Sequence, residues 1–138
     1  INICIMELIG QSVFQLQSFS QNAEMKPIDK IKELSKGIAS FMALNPGLSK
    51  ISITNDLLSP ERNDNVAQLT KMLMPITKEI YSDQKSESEL LILLHILISS
   101  ISVGFLRNSV LGETTKLDFT DQEQRDQFVE YCINRVLF

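Results

Sequence analysis

An uncharged run between Glu89 and Arg107 constrains the fold of this chain more than any other feature. From Leu90 to Leu106 it contains no charged residue, and read as a helix it is apolar on nearly every face. A helix that is apolar all round must be covered on all sides. The run therefore predicts either a core helix that also contacts a second chain, or a membrane span.

The residues of the run favour the core helix. The run falls short of the roughly 20 apolar residues that span a bilayer. Its middle also carries His95, three serines and Gly104, and polar side chains are costly in lipid. We therefore expect a central core helix with one face against another subunit, and no membrane.

Composition is that of one globular domain over residues 1–138. The chain is 43% hydrophobic and 22% charged, as globular domains are. Its net charge of −4 and its lack of any Lys/Arg cluster argue against nucleic-acid binding by this chain itself. The two cysteines, Cys4 and Cys132, have no metal or redox spacing, so we expect free thiols in a reducing cytoplasm, with no metal and no cofactor.

Apolar residues recur at helical spacing along most of the chain. This spacing predicts long helices over residues 1–21, 27–44, 65–81, 89 to about 110, and 121–137. The segment 48–58 is interpreted as a short helix rather than a strand, because helices flank it and no partner strand is in view. The fold class is therefore all-α, a bundle of about five long helices with one or two short ones.

Three local signals predict details of the helices. Pro75, inside the third long helix, predicts a kink. Thr120 with Glu123 three residues later predicts a capping box at the start of the last helix. Ser59 before Pro60 predicts a cap followed by a further turn of helix.

The chain lacks the residue patterns of an enzyme. Its one histidine, His95, lies in the apolar run, where a core residue or a single polar contact is the simpler interpretation. There is no Gly-rich phosphate loop and no His-Glu-x-x-His motif. Carboxylates such as Glu87 and Glu89 stand at helix starts, where the helix dipole accounts for them. We therefore expect a binding or structural protein.

A mostly apolar ligand cavity is predicted between the first three long helices and the central one. Pro75 would bend its helix away from close packing, and methionines adapt to an occupant. A buried, neutral His95 would orient the ligand by hydrogen bonds. The expected walls are Phe14, Phe41, Met42, Met72, Pro75 and His95. The alternative is that these side chains interlock and leave no cavity.

A dimer is predicted through the central and last helices. Ser100 and Gly104 are small residues four apart, a spacing that lets another helix approach closely. The approaching helix belongs either to the same subunit or to a partner, and we expect a partner, because the run has more apolar surface than one subunit of this size needs. The expected interface residues are Leu97, Ser100, Gly104, Phe128, Cys132 and Val136.

The order of these parts resembles the TetR family of bacterial repressors. The resemblance rests on the segment Phe41-x-x-x-Asn45-Pro46-Gly47-Leu48, on the proline-containing helix 66–81, on Gly104-Phe105-Leu106 and on the final amphipathic helix. It covers nearly the whole chain and lies in the layout of the helices.

What the resemblance implies is the effector-binding and dimerisation domain of a cytoplasmic transcriptional repressor. The last two long helices would pair with their copies, and the earlier helices would enclose a small apolar effector that controls DNA release by a population shift. DNA would be bound only through a helix-turn-helix preceding Ile1, so the chain is expected to be a fragment. The alternative is a helical dimerisation or protein-interaction module without a small ligand, which a well-packed interior would favour.

Overall fold

The computed structural model describes residues 24–108, 113 and 117–138, and this part of the chain contains five helices and no strand. The helices are α1 (Pro27–Leu44), α2 (Pro46–Leu58), α3 (Asn65–Tyr81), α4 (Glu87–Leu106) and α5 (Gln122–Leu137). The predicted all-α class is confirmed. The helix predicted over residues 1–21, with Phe14 and Cys4, lies outside the described residues.

Proline positions set the ends of the first two helices. α1 begins at Pro27, where the missing N–H costs nothing because the first turn has no partner for it. α1 ends before Asn45, whose backbone leaves the helical region (φ −127°, ψ 60°) because Pro46 follows it. Pro46 then opens α2, so the segment interpreted as a short helix is a helix.

The further helical turn predicted after Ser59 is absent. Ser59 instead terminates α2, and its backbone N–H donates to the carbonyl of Asn55 at 2.8 Å. The cap of the next helix is Asp64, whose carboxylate accepts the N–H of Ala67 at 2.9 Å. Ser59 and Pro60 therefore mark the end of α2 and not the start of a further helical turn.

The predicted capping box at Thr120 is also wrong. The Thr120 hydroxyl donates to the Asp118 carboxylate at 2.7 Å, and α5 begins at Gln122, one residue later than a cap at Thr120 requires. Asp121 is the cap, and its carboxylate accepts the N–H of Gln124 at 3.0 Å. The Asp121 carboxylate therefore caps α5 in place of the Thr120 hydroxyl, and both are residue types that favour this position.

The four longest helices form a bundle in which each helix is antiparallel to the neighbours it packs on. α3 and α4 are joined by the short connector 82–86 and pack along their length. Lys30, early in α1, pairs with Glu79, late in α3, at 3.8 Å. The Tyr81 hydroxyl, at the end of α3, donates to the carbonyl of Leu137 at the end of α5. α1 and α4 therefore lie diagonally across the bundle, and α4 packs mainly on α3 and α5.

The centre of the bundle is filled by apolar side chains from all four of these helices. The largest fully buried ones on the helices are Ile31, Leu34, Leu73, Leu90, Leu94, Leu97, Ile133 and Val129, and the loop before α5 adds Phe119. Phe119 closes the end where α4 leads towards α5, packing edge-on against Phe105 and Phe128 at centroid distances of 5.7 and 6.0 Å.

A buried arginine ties this end of the bundle together. Arg125 donates to the carbonyls of Phe119 and Thr120 at 3.2 and 3.3 Å, and to the Ser40 hydroxyl of α1 at 3.2 Å. Charge-assisted bonds to backbone carbonyls compensate for the burial of the guanidinium. The loop before α5 is thereby held against α1.

α2 crosses the same end of the bundle, and it buries its polar side while its apolar side faces outwards. Of the four residues it buries, only Ile53 is apolar; the others are Ser49, Ser52 and Asp56. Its outer face carries exposed apolar side chains, namely Leu48, Ile51, Leu57 and Leu58. The helix therefore docks on the bundle through a polar contact rather than through its apolar side.

Within the described part of the chain, α4 is the one helix that is long and apolar enough to cross a membrane. Length and composition are weak evidence here, because the core helix of a soluble bundle passes the same test. α4 buries Leu90, Leu94 and Leu97 against the rest of the bundle.

Candidate functional site

The outer face of α4 carries an apolar strip that the bundle leaves uncovered. Ile92 is 60% exposed and Ile96 is 47% exposed, although both lie in a helix that also supplies much of the core. Residues on this face recur at intervals of three and four, as expected for one side of a helix. We define the α4 stripe as Leu91, Ile92, His95, Ile96, Ser99 and Val103.

The stripe exists because α4 is a corner helix whose sequence is apolar on every face. α3 and α5 cover the side that carries Leu94 and Leu97, while the side that carries Ile92 and Ile96 faces outwards. An isoleucine left in contact with water forfeits about 1.5–3 kcal/mol of burial energy. The stripe is therefore a surface that a binding partner would stabilise.

His95 lies on this stripe and not in the interior. The sequence placed it on a buried pocket wall, and that placement is wrong, since its side chain is exposed. The larger aliphatic residues on either side, Leu94 and Ile98, take the inner positions of α4. The Nδ1 atom of His95 lies 2.7 Å from the carbonyl oxygen of Leu91.

The structure does not bring the predicted pocket residues around one cavity. Met42 is buried, Phe41 and Met72 are half-buried, Pro75 and His95 are exposed, and Phe14 lies outside the described residues. α3 continues through Pro75 to Tyr81 with the proline on its outer face.

The space between α1, α3 and α4 is nearly filled. Its cavity measures about 10 Å³, room for one water molecule at most. The lining residues are Ser35, Ile38, Met42, Leu69, Leu73, Leu97, Ile98 and Ile101. The interior is therefore packed between these three helices, while the first helix of the predicted cavity lies outside the described residues.

The predicted interface residues divide between the interior and the surface. Leu97, Gly104 and Cys132 are buried within the chain, while Ser100, Phe128 and Val136 are half-buried. A Cβ atom on Gly104 would lie 2.5 Å from Cζ of Phe128, so the close approach allowed by this glycine is between α4 and α5 of one subunit.

The residues that do face outwards were missed because the run gives no helical phase. When a helix has apolar residues on one side only, their spacing in the sequence shows which side is buried. α4 is apolar on all sides, so its sequence does not show this. The only sequence signal was the pair His95 and Ser99, polar residues four apart that share the outer face.

A second cavity, of about 250 Å³, lies at the end of the bundle crossed by α2. Its walls are largely apolar and comprise Ala43, Pro46, Lys50, Phe105, Leu106, Asn108, Phe119 and Thr120. The side-chain oxygen Oδ1 of Asn108 accepts the backbone N–H of Phe119 at 2.6 Å. Among the described lining residues, Lys50 carries the one charged group.

A buried polar cluster lies under α2. The Asn65 amide donates to the Ser52 hydroxyl, and Asn65 also hydrogen bonds to Asp56. Burial raises the pKa of Asp56 above the usual value of an aspartate, against the lowering effect of the bonds from Asn65, and the Asp64 charge raises it further. The protonated carboxyl therefore contributes stability at low pH that is lost as pH rises through the raised pKa.

Among the described residues, no group of three or more His, Cys, Asp or Glu side chains is placed to hold a metal ion. Cys132 is buried, and burial raises the pKa of its thiol, which disfavours the nucleophilic thiolate. The features with functional potential are thus the α4 stripe and the cavity near α2.

Comparison with known proteins adds no family to these features. No family model matches the chain, and neither a curated protein nor a solved structure is detectably similar to it. The functional argument therefore rests on the geometry of the described residues.

Proposed function

We propose that this chain is a helical self-association domain in which the α4 stripe packs against the same stripe of a second copy. The observation that carries the proposal is the exposed, uncharged row of aliphatic side chains on the most apolar helix of the bundle. Covering such a row removes apolar surface from water, which is the main driving force of association.

A second copy suits this surface better than a charged partner does. α4 has no charged side chain between Leu90 and Leu106, so the stripe offers no group that an acidic or basic partner would recognise. A stripe of the same composition offers it aliphatic side chains to pack against. Two-fold pairing also closes after two chains, because each copy uses the same patch.

The proposal retains the dimer implied by the TetR resemblance, but assigns it to the outward residues of α4. It also follows the alternative hypothesis from the sequence, a dimerisation module, and the nearly filled space between α1, α3 and α4 supports this choice. We extend the proposal to a cytoplasmic regulator whose dimeric state positions any DNA-binding segment joined to it.

The test is the mass of the chain in solution. The parent should sediment at twice the chain mass of 15.6 kDa at micromolar concentration. Ile92→Glu and Ile96→Glu should each weaken the dimer at least about tenfold, because each copy loses a buried isoleucine and gains an unpaired carboxylate. The readout is sedimentation velocity over a range of concentrations.

Ile51→Glu is the matched control, because Ile51 is also an exposed isoleucine but lies on α2. It should leave the dimer intact. A parent that sediments as a monomer would remove the proposal, and so would equal effects of Ile92→Glu and Ile51→Glu. Flotation of a monomeric parent with neutral lipid vesicles would assign the stripe to a membrane surface instead.

A second candidate function, binding of a small apolar effector, is favoured by the 250 Å³ cavity near α2. The volume approaches the range of small-ligand sites, and the apolar walls with a few polar groups have the usual character of one. Under this proposal the effector binds between α1, α2 and α4, away from the interior position predicted from the sequence.

Ala43→Trp tests the second candidate. The added ring should occupy the cavity, so binding of an apolar fluorescent dye should fall while the thermal melting temperature is kept. Ile92→Ala, on the far surface of α4, is the control and should bind dye as the parent does. No dye bound by the parent, or equal binding by Ala43→Trp, would eliminate this site.

A further inference from the structure

The cavity near α2 has apolar walls and room for a small ligand. Its apolar lining comes from α1, α2, α4 and the loop before α5, namely Ala43, Pro46, Phe105, Leu106 and Phe119. The rings of Phe105 and Phe119 meet edge-on at a centroid distance of 5.7 Å. The volume of about 250 Å³ lies below the range of about 300–1,000 Å³ typical of drug-sized ligands, so the space suits one short chain or a single ring.

Lys50 supplies the one charge in the lining of this cavity. It stands four residues after Pro46, so the two side chains lie on the same side of α2. Lys50 is exposed, and within the described ranges it forms no ion pair with another side chain of the subunit. Its ammonium is therefore available to an anion at the mouth of the cavity.

Helix ends of both signs meet at this cavity. α2 begins at Pro46 without a side-chain cap, and the Asn45 amide donates to the Phe41 carbonyl at 3.1 Å instead. α1 and α4 end beside it, at Leu44 and Leu106, and the C-terminus of a helix carries the opposite partial charge to its N-terminus. Because these partial charges oppose one another, the charged side chains decide which ligands the cavity prefers.

The carboxylate of Asp118 lies near the cavity, but other groups hold it. It accepts the hydroxyl and the backbone N–H of Thr120 at 2.7 and 2.9 Å, and it also hydrogen bonds to Asn108. It forms no ion pair with Lys50. Among the described residues that line the cavity, none carries a carboxylate. The side chains of the cavity therefore favour a negatively charged group at its mouth.

Extending the second candidate function above, on which this step rests, we infer that the ligand of the cavity is a small amphipathic carboxylate. Its apolar chain packs against Phe105 and Phe119, and its carboxylate pairs with Lys50. A single negative charge matches the single ammonium of the lining, whereas a phosphate group carries up to about two negative charges. Because Lys50 is exposed, the carboxylate keeps part of its hydration and avoids the cost of a buried ion.

The experiment compares octanoate with octanol, which has the same chain length and no charge. Isothermal titration calorimetry at about pH 7.5 keeps the carboxylate ionised. The parent should bind octanoate about fivefold more tightly than octanol, the upper end of what one exposed ion pair contributes. Lys50→Gln should remove this preference and leave octanol binding unchanged, because it loses the charge alone. Lys50→Arg should keep the preference.

Two further variants serve as controls. Lys26→Gln removes the same charge from an exposed lysine at the opposite end of α1, and it should bind both ligands as the parent does. Ala43→Trp should weaken both ligands, because the added ring occupies the cavity. Far-ultraviolet circular dichroism verifies that every variant remains folded.

The outcomes separate the role of Lys50 from the cavity itself. A parent that binds neither ligand overturns the cavity as a ligand site, and the carboxylate preference with it. A parent that binds octanol at least as tightly as octanoate overturns the carboxylate preference and leaves the cavity as a site for neutral apolar ligands. If Lys50→Gln keeps the preference, or if Lys26→Gln loses it as well, the preference does not belong to Lys50 and the inference fails.

Discussion

Leu97→Ala should lower the free energy of unfolding by about 2–5 kcal/mol, whereas Ile96→Ala should change it by less than about 1 kcal/mol. The two residues are neighbours in α4, but Leu97 is fully buried and Ile96 is 47% exposed. Truncating Leu97 removes apolar contacts and leaves a cavity in a tightly packed layer, and the cost of that cavity adds to the transfer term. Truncating Ile96 removes atoms that largely face water.

Urea denaturation, followed by circular dichroism, measures both values. Protein concentration must lie well below the dissociation constant of the dimer, because association would otherwise add to the apparent stability. At concentrations where the parent is a dimer, Ile96→Ala should reduce association more than Leu97→Ala does. Equal effects of the two substitutions on unfolding would show that the interior and exterior of α4 have been assigned incorrectly.

Gly104→Leu should lower the free energy of unfolding by about 3 kcal/mol or more. A Cβ atom at this position would lie 2.5 Å from Cζ and 2.6 Å from Cε1 of the Phe128 ring. The ring cannot move aside freely, because Phe119 packs edge-on against it at 6.0 Å. The added side chain would therefore push α4 away from α5, and the loss should appear in the monomer.

A rescue experiment distinguishes this clash from a general intolerance of α4 to substitution. Phe128→Ala leaves space opposite Gly104, so adding Gly104→Leu to it should cost much less than adding Gly104→Leu to the parent. Such a coupling between contacting residues is measured by a double-mutant cycle. If Gly104→Leu unfolds at the same urea concentration as the parent but loses the dimer, the glycine faces a partner after all.

Helix positions were predictable from the sequence because local chemistry determines them. Pro27 sets the start of α1 and Pro46 sets its end without any tertiary contact, and Asn65–Tyr81 was predicted from one continuous apolar stripe. The start of α2 at Pro46, two residues before the predicted segment 48–58, was not predicted. The caps were harder to predict, since Thr120 and Asp121 are both suitable residues. In the structure Asp121 accepts the Gln124 N–H, while Thr120 donates to Asp118.

The candidate site was predictable only in part, because its residues depend on the rotation of one helix. The apolar run located the self-association surface on α4 but contained no periodicity from which its inner face could be read. Leu97 and Gly104 were therefore assigned to a partner and belong to the interior, while Ile92 and Ile96 were overlooked. Packing against α3 and α5 fixes this rotation, and those contacts are not local in sequence.

The burial of the polar side of α2 has a consequence for local unfolding of the domain. An element that detaches from a folded protein loses the apolar burial it contributed, and for α2 that is mainly Ile53. Detachment would at the same time return the carboxyl of Asp56 and the hydroxyl of Ser49 to water, and neither Asp56 Oδ1 nor the Ser49 hydroxyl has a partner among the described residues. α2 is therefore the element for which sub-global opening costs least, and its amide hydrogens should exchange through such openings, well before those of α4 exchange through complete unfolding.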